Sequence, residues 1–506
     1  MIRAFLSVGF WTLLSRITGF LRDILLAGSL GAGQMMDAFT VAFRLPNHFR
    51  AIFGEGAFEN AFVPALTRIR AQIGAEAATL FQGRILALVL GSQGLLLVLV
   101  LIFTPVAVRL LAPGFAARPD LFGLATELTR ITFPYLALVT LMVLWKGVLN
   151  AEKRFVAGAA APILLNAAMI GALLAGGLFP SLAHAAAWGV LAAGILEAGL
   201  LAFAAARAGL IAPPRLPRPD PELARFFRAF VPAVIGAAGV QIAMFMDTII
   251  VTFLPPGGAS ALYYADRLYQ LPIGVIGIAA GTVIVPEMSR LLAENRPEAA
   301  YAAQNRALVL GWLAAAPFLV GFLVLPHLIV QAFFERGAFD AAATQATAGV
   351  LAAYALGLPA AIAIRSAVAS FTARGDTATP LLASLSGLAL NLALKLLLWR
   401  EHGAAGLALA TSLGALVNLA ILAGLAIRQG KAAPDALLGR ALAVILVAGS
   451  ALAAAFAALA APLAGLPPIA RLAALGLGGG LLYGGIVVLG FRLARIPLTL
   501  RRPTAG

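Results

Sequence analysis

The chain has 506 residues, of which 62% are apolar and only 11% charged. A soluble chain of this length needs about twice that share of charge to cover its surface, so a water-soluble globular protein is excluded. The absence of cysteine excludes a disulfide framework, thiolate catalysis and Cys-ligated metals, and four scattered histidines (His48, His184, His327, His402) supply no metal-ligand spacing.

Apolar runs recur along the whole length, each long enough to cross a hydrocarbon core of ~30 Å as a helix. They are continuous and rich in Leu and Ala, without the period-2 alternation of a barrel strand, so the expected fold is an all-α polytopic membrane protein. The N-terminal run resembles a signal peptide, but Arg16, Arg22 and Asp23 interrupt it, and it reads as a retained first helix. Fourteen spans are predicted, near 5–27, 35–58, 82–104, 124–149, 159–179, 184–206, 229–253, 261–286, 306–331, 345–370, 378–399, 404–427, 438–460 and 469–491. The longest polar connection, about 208–226, carries Pro213, Pro214, Pro217, Pro219 and Pro221 and reads as a linker between two halves. The expected organisation is an N-lobe (1–210, spans one to six), a cytoplasmic linker (211–228), a C-lobe (229–430, spans seven to twelve) and a C-terminal helix pair (431–506).

Charge within a span costs about 2.5–3.5 kcal/mol per group on insertion scales, so its placement is informative. Spans one and two hold Arg16, Arg22, Asp23, Asp37, Arg44, Arg50, Glu55 and Glu59, whereas spans three, five, thirteen and fourteen hold almost none. Arg16 and Asp23 are seven residues apart, as are Asp37 and Arg44, which places each pair on one helix face about two turns apart. Pro46 removes a backbone donor in mid-span and predicts a kink or break there. Arginine's planar fork suits phosphate oxygens. The pattern predicts a cation-lined cavity for a phosphate or diphosphate headgroup, with Arg16 and Arg44 deepest in their spans and Arg22 and Arg50 beside them. Internal ion pairing, or snorkelling at span ends, is the alternative. Asp23 and Asp37 are read as orienting arginines; Glu55 and Glu59 read equally as a gate or a structural pair.

In span seven Asp247 is a lone acid, either a ligand for a coupling cation or a paired structural group. Span eight contributes Asp266 and Arg267. The segment Val63-Pro64-Ala65-Leu66-Thr67-Arg68 recurs as Val285-Pro286-Glu287-Met288-Ser289-Arg290 at an offset of 222, and Leu149-Asn150-Ala151 meets Phe371-Thr372-Ala373 at the same offset. Two six-span parallel repeats are therefore expected, with Arg267 near their pseudo-symmetric centre, where parallel repeats place a site. Lys146, Arg365, Lys395 and Glu197 are weaker candidates, Lys146 reading as a side chain that snorkels to the inner face. Spans thirteen and fourteen lie outside the repeat as an uncharged appendage.

The net charge of +15 is explained by topology. One set of connections and termini carries 22 basic residues and the opposite set 6, which puts both termini in the cytoplasm. No basic–aromatic domain exists, so a nucleic-acid partner is not expected. The chain has no P-loop, G-x-S-x-G or H-E-x-x-H motif, so neither an enzyme nor an ATP-driven pump is predicted. No cofactor is expected; drive would come from the membrane potential, at ~2.3 kcal/mol per charge per 100 mV, or from a monovalent cation.

Ser15-Arg16 with Arg22-Asp23, then Asp37-Ala38-Phe39, Ala42-Phe43-Arg44-Leu45-Pro46-Asn47, and Arg50 followed by Phe53-Gly54-Glu55-Gly56-Ala57-Phe58 and Ala61-Phe62-Val63-Pro64, resemble the MurJ/MviN lipid II flippases. Tyr263-Tyr264-Ala265-Asp266-Arg267-Leu268 and Gly375-Asp376 with Thr379-Pro380 resemble them too. The resemblance covers the whole chain. It implies a two-lobed exporter of the MOP superfamily in the bacterial inner membrane, acting as a monomer among membrane lipids, with the cell-wall synthesis machinery as an expected neighbour. Its substrate would be undecaprenyl-diphosphate-linked disaccharide-pentapeptide, moved outward for peptidoglycan synthesis. The family's diphosphate-binding arginines would be Arg16, Arg22, Arg50 and Arg267, its acidic partner Asp37, with Ser15, Asp23, Arg44, Glu55 and Asp266 as cavity support or gate. Spans thirteen and fourteen would form the groove for the polyprenyl tail. Cation coupling in some members would map in part to Asp247, Thr372 and Asp376, although Leu388 and Leu392 are apolar here and Gln270 stands where many relatives carry glutamate. An O-antigen-type polyprenyl-diphosphate flippase, another exporter of the superfamily, and a non-transporting scaffold are the competing readings.

Overall fold

In a bilayer the backbone must satisfy itself, and these Leu- and Ala-rich runs do so as helices. The computed structural model describes residues 2–53 and 56–496, without the side chains of 2–7, 48–49, 51–53, 236–243 and 277–283. Among the described residues there is no strand. The helices are α1 (Ile2–Leu30), α2 (Gln34–Phe53), α3 (Ala57–Gln72), α4 (Ala75–Ile102), α5 (Thr104–Leu111), α6 (Pro119–Thr132), α7 (Pro134–Ala151), α8 (Val156–Leu174), α9 (Leu182–Arg207), α10 (Pro221–Val251), α11 (Gly258–Pro272), α12 (Ile278–Ala293), α13 (Pro297–Val324), α14 (Pro326–Phe334), α15 (Ala341–Ala355), α16 (Leu358–Thr372), α17 (Ala378–Arg428), α18 (Ala436–Ala460) and α19 (Pro468–Leu493).

Every expected span overlaps one of these helices or an adjoining pair. Span four is shared by α6 and α7, with Pro134 opening the second. Span eight is shared by α11 and α12, joined by a π-helical turn at Ile273–Gly277. Spans eleven and twelve lie in α17, whose 51 residues are divided by Gly403 at φ 53° and ψ −135°. Nine helical stretches among the described residues are long and apolar enough to cross a membrane by length and composition.

Of the kink or break expected at Pro46 the break is absent, because α2 runs through it. Proline at 46 cannot donate to the carbonyl of Ala42, one turn back. The Thr132 hydroxyl, at the end of α6, donates to that carbonyl instead at 2.9 Å. A side chain from a neighbouring helix thus satisfies the freed acceptor and spares the helix. The chain turns only after α2, where Gly56 has φ 78°.

The chain forms two compact units, residues 1–260 with 336–339, and 261–335 with 340–506. This division falls beyond the 211–228 linker, because α10 packs on α2 and α3. Phenylalanines fasten it there: Phe226 stacks on Phe230 with centroids 5.3 Å apart and meets Phe58 and Phe81 edge-on at 6.1 and 6.0 Å. In the same unit α8 packs on α1 and α9, and α7 on α9 and α3.

In the second unit α18 packs on α13 and α19, and α15 and α16 pack on α17. The two halves of α17 meet through small residues. A Cβ added at Gly387 would lie 2.8 Å from the Asn418 Cβ, and one at Gly414 would lie 2.7 Å from the Asn391 Cβ. Two small-residue positions thus let the backbones approach closely, as membrane helices do.

Candidate anion-binding site

The charged cluster of the first unit divides into a sealed part and an open part. In the sealed part Arg22 and Asp23, on α1, are 7% and 3% exposed. Arg22 Nη2 donates to Asp23 Oδ1 at 2.7 Å, Nε to the same oxygen at 3.1 Å, and Nη1 to Asn166 Oδ1 at 3.0 Å. Asn166 of α8 in turn donates to the Ser15 carbonyl and the Thr18 hydroxyl, both at 2.9 Å. Asn166 packs over Gly19, where an added Cβ would lie 3.5 Å from its Nδ2, an ordinary contact distance. A buried charge needs both a counterion and saturated hydrogen bonds, and this network supplies both.

The open part lies one turn or more toward the start of α1. Ser15, Arg16 and Thr12 line a pocket of about 440 Å³ with Lys146 and Asn150 of α7 and Pro162 of α8. Arg16 is exposed and has no hydrogen-bond or ion-pair partner among the described residues. Lys146 is half-buried, its Nζ 2.8 Å from Glu59 Oε1 on α3. Lys146 therefore belongs to the site, although its sequence position reads as snorkelling. Glu59 is its counterion, which favours the structural-pair reading of that acid. Asn150 and Asn166 were not among the sequence candidates; an uncharged amide inside an apolar run was the available signal.

The seven-residue spacing sets a shared helix face, and the partners of these groups lie elsewhere. Asp23 engages its neighbour Arg22, and Asp37 does not engage Arg44. Asp37, 2% exposed, accepts from Gly257 N at 2.8 Å, Ser260 N at 2.9 Å and Ser260 Oγ at 2.7 Å, at the first turn of α11. Arg44 is half-buried without an ion-pair partner among the described residues. Arg50 is half-buried and donates to Asn47 Oδ1 at 3.1 Å. Its charge acts on Glu197 of α9, which is buried and accepts from the Tyr135 hydroxyl at 3.3 Å. Glu55 lies outside the described residues.

In the second unit Arg267 lies over the Tyr263 ring, its Cζ 4.8 Å from the centroid, while Asp266 accepts from Gln270 Nε2 at 3.3 Å. The cation-coupling candidates are dispersed in role. Asp247 is half-buried on α10, and the Thr372 hydroxyl bonds back to the Val368 carbonyl at 3.2 Å. Asp376, in the loop before α17, accepts from Lys431 Nζ at 2.8 Å and from Thr379 N and Oγ1 at 3.1 and 2.9 Å. Those contacts hold its carboxyl down to about 2, the Lys431 ammonium being the chief cause. No group of three or more His, Cys, Asp or Glu is placed to hold a metal among the described residues.

Two apolar pockets flank the C-terminal helices. One of about 420 Å³ lies between α13 and α18, lined by Trp312, Leu319, Leu442, Ile445 and Leu446 among others. Another of about 310 Å³ includes Pro317, Phe322, Leu452 and Phe456 and reaches Leu472 and Gly476 of α19.

A family model described as lipid II flippase MurJ matches residues 26–465. The chain is 36% identical over 427 residues to a probable lipid II flippase MurJ of Rhizobium meliloti (strain 1021), covering 83% of this chain and 80% of that one. It is 32% identical over 435 residues to a lipid II flippase MurJ of Burkholderia cenocepacia, covering 83% of each. Among solved structures it is similar in fold to a lipid II flippase MurJ in an inward closed conformation, with a TM-score of 0.81, 24% identity, and coverage of 96% of this chain and 99% of that one. An inward-facing multidrug resistance transporter of the MATE family, in the MOP superfamily, matches at a TM-score of 0.68 with 15% identity, covering 82% and 95%.

Proposed function

The chain belongs to the lipid II flippase MurJ family, and from that premise we infer that it moves lipid II from the inner to the outer leaflet of the bacterial inner membrane, as a transporter and not a hydrolase. The observation that carries the reading is Arg16 in its 440 Å³ pocket. A guanidinium on a membrane helix with no partner among the described residues has its planar fork available to an anion. Lys146, neutralised by Glu59, stands on the opposite wall as a point charge that a diphosphate can recruit. Arg22 is held by Asp23 and Asn166 in this conformation, so it acts through that network, or after it rearranges. A lipid-linked substrate also needs an apolar path, and the pockets of α13, α18 and α19 fit a polyprenyl chain.

Fourteen spans in two parallel six-span repeats, followed by the C-terminal pair, are the topology we assign. Helix starts support it: Ala75 and Pro297, Thr104 and Pro326, Pro119 and Ala341, and Val156 and Ala378 open corresponding helices 222 residues apart. The basic-residue bias supports cytoplasmic termini. Alternating access driven by the membrane potential is the mechanism we favour, since Asp376 is already engaged by Lys431. The functional test is depletion of the protein in its host, with enzymatic labelling of lipid II at the outer leaflet. Surface lipid II should fall as lipid II accumulates inside; unchanged surface labelling refutes the assignment.

A further inference from the structure

The connection between α9 and α10 is seated, although its sequence reads as a linker. The Arg215 N–H donates to the Gly83 carbonyl at 3.0 Å, and Gln82 Nε2 donates to the Leu210 carbonyl at 2.9 Å. Gly83 has no room for a side chain, because the Pro213 carbonyl occupies that space. At the far end Asp220 pairs with Arg84, and its Oδ1 caps α10 by accepting from Leu223 N at 2.8 Å. The result is a strap laid across the start of α4.

Between strap and helix lies a cavity of about 720 Å³. Arg84, Arg215 and Arg218 line it against one carboxylate, Glu76. Arg84 already has Asp220. Arg215 and Arg218 are exposed, and their side chains have no partner among the described residues. Leu80 and Leu216, also lining the cavity, are 41% and 83% exposed. Through water two exposed guanidiniums repel each other only weakly, and two of them on one wall without counterions offer their donor forks to an anion that bridges them. Exposed leucines beside them, at the end of a membrane helix, suit a ligand that carries acyl carbon next to its charge.

We propose that this cavity is a stationary site for the phosphate of an anionic phospholipid of the inner leaflet, distinct from the Arg16 pocket. Arg215 and Arg218 hold the phosphodiester oxygens, while Leu80 and Leu216 lie against the first carbons of the lipid. Placement in the inner leaflet rests on the cytoplasmic orientation assigned above; the binding chemistry does not.

The test uses the purified full-length chain and measures retention of phosphatidylglycerol and of phosphatidylcholine by native mass spectrometry. Phosphatidylglycerol should be retained preferentially, and R215A/R218A should weaken that retention about tenfold or more, the scale of a lost charge-assisted contact, while lipid II binding is unchanged. Equal retention of the two lipids, or retention unaltered in the double variant, overturns the site. Loss of lipid II and phosphatidylglycerol together overturns its separateness. Displacement of phosphatidylglycerol by inorganic phosphate alone assigns the arginines to a soluble anion and overturns the lipid reading. Orientation is read separately from L216C, which is the sole thiol in a chain without cysteine. An impermeant maleimide should label it only after permeabilisation; labelling in intact cells overturns the inner-leaflet placement and leaves the binding result standing.

Discussion

Asn166 Oδ1 accepts from Arg22 Nη1 at 3.0 Å, while its Nδ2 holds the backbone of Ser15 on the same helix α1. One amide on α8 thus fixes the turn of α1 that carries Arg16. Replacing Asn166 by Leu removes both contacts and leaves a buried guanidinium group unsatisfied, at a cost of about 1–3 kcal/mol. N166L is expected to lower the unfolding temperature in detergent and to reduce flipping. N166D keeps the acceptor toward Arg22 and should retain more stability than N166L; equal loss in both would show that packing volume, not the hydrogen bond, is what matters at 166.

The Thr132 hydroxyl and Pro46 form a compensated pair across α6 and α2, because the first occupies the carbonyl that the second leaves free. T132V, close to isosteric, should destabilise by about 1–2 kcal/mol. P46A restores an N–H within reach of the Ala42 carbonyl, so T132V should cost much less in the P46A background. Additive effects in a double-mutant cycle of thermal stability would disprove the compensation.

The all-helical, apolar character of the chain was legible because long Leu- and Ala-rich runs without period-2 alternation satisfy their backbone in lipid as helices, and the arginines of α1 and α2 were conspicuous against that background. Their partners were not legible. Asn166 is 144 positions from Arg22, and Ser260 is 223 from Asp37; such pairings depend on which helix faces which, and one sequence does not encode that locally. Spacing defined a shared face and not a partner. Residues seven apart share a face but stand ~10 Å apart along the axis, too far for direct contact, so Asp23 took adjacent Arg22 and Asp37 turned to the start of α11. The neighbours of Lys146 were not legible either. Near the end of its span it reads as snorkelling, and helix packing sets it in the pocket that Arg16 lines.

Arg16 and Lys146 should differ in how they tolerate substitution. R16K keeps the charge but loses the bidentate fork, and flipping should fall by about tenfold or more. K146R should be tolerated, because a point charge suffices there, whereas K146M also strands Glu59 and should impair both stability and transport. Restoration of stability without transport in K146M/E59Q would separate the two roles. Full flipping by R16K in reconstituted vesicles would show that the residue acts through charge alone.

Asp376 gives a pH dependence with a defined sign. Its carboxyl is held at about 2 against an ordinary 3.8, first by Lys431 and then by Thr379. A group depressed on folding stabilises the native state above its unfolded value and loses that contribution as pH falls from about 4 toward 2. The group is partly open to solvent, so the effect should be a shallow slope that added salt reduces. D376N should remove the slope in thermal melts between pH 4 and 2, and an unchanged slope would place the titration elsewhere.

Asp37 tests whether an acid buried in the first turn of α2 serves the substrate or the fold. Its two oxygens receive three donors, two backbone N–H groups and the Ser260 hydroxyl, at 2.7–2.9 Å. A carboxylate can accept all three; an amide cannot, because its NH₂ would face a donor. The neighbouring helix start favours negative charge as well. D37N is therefore expected to destabilise by about 2–3 kcal/mol, near the upper range for charged hydrogen bonds, while S260A, which removes one donor of the three, should cost about 1 kcal/mol. If Asp37 acts through these contacts, D37N should lose transport in proportion to lost folded protein or lost closure at α11, and lipid II binding by the folded fraction should persist. Selective loss of lipid II binding in well-folded D37N would instead place the carboxylate at the substrate.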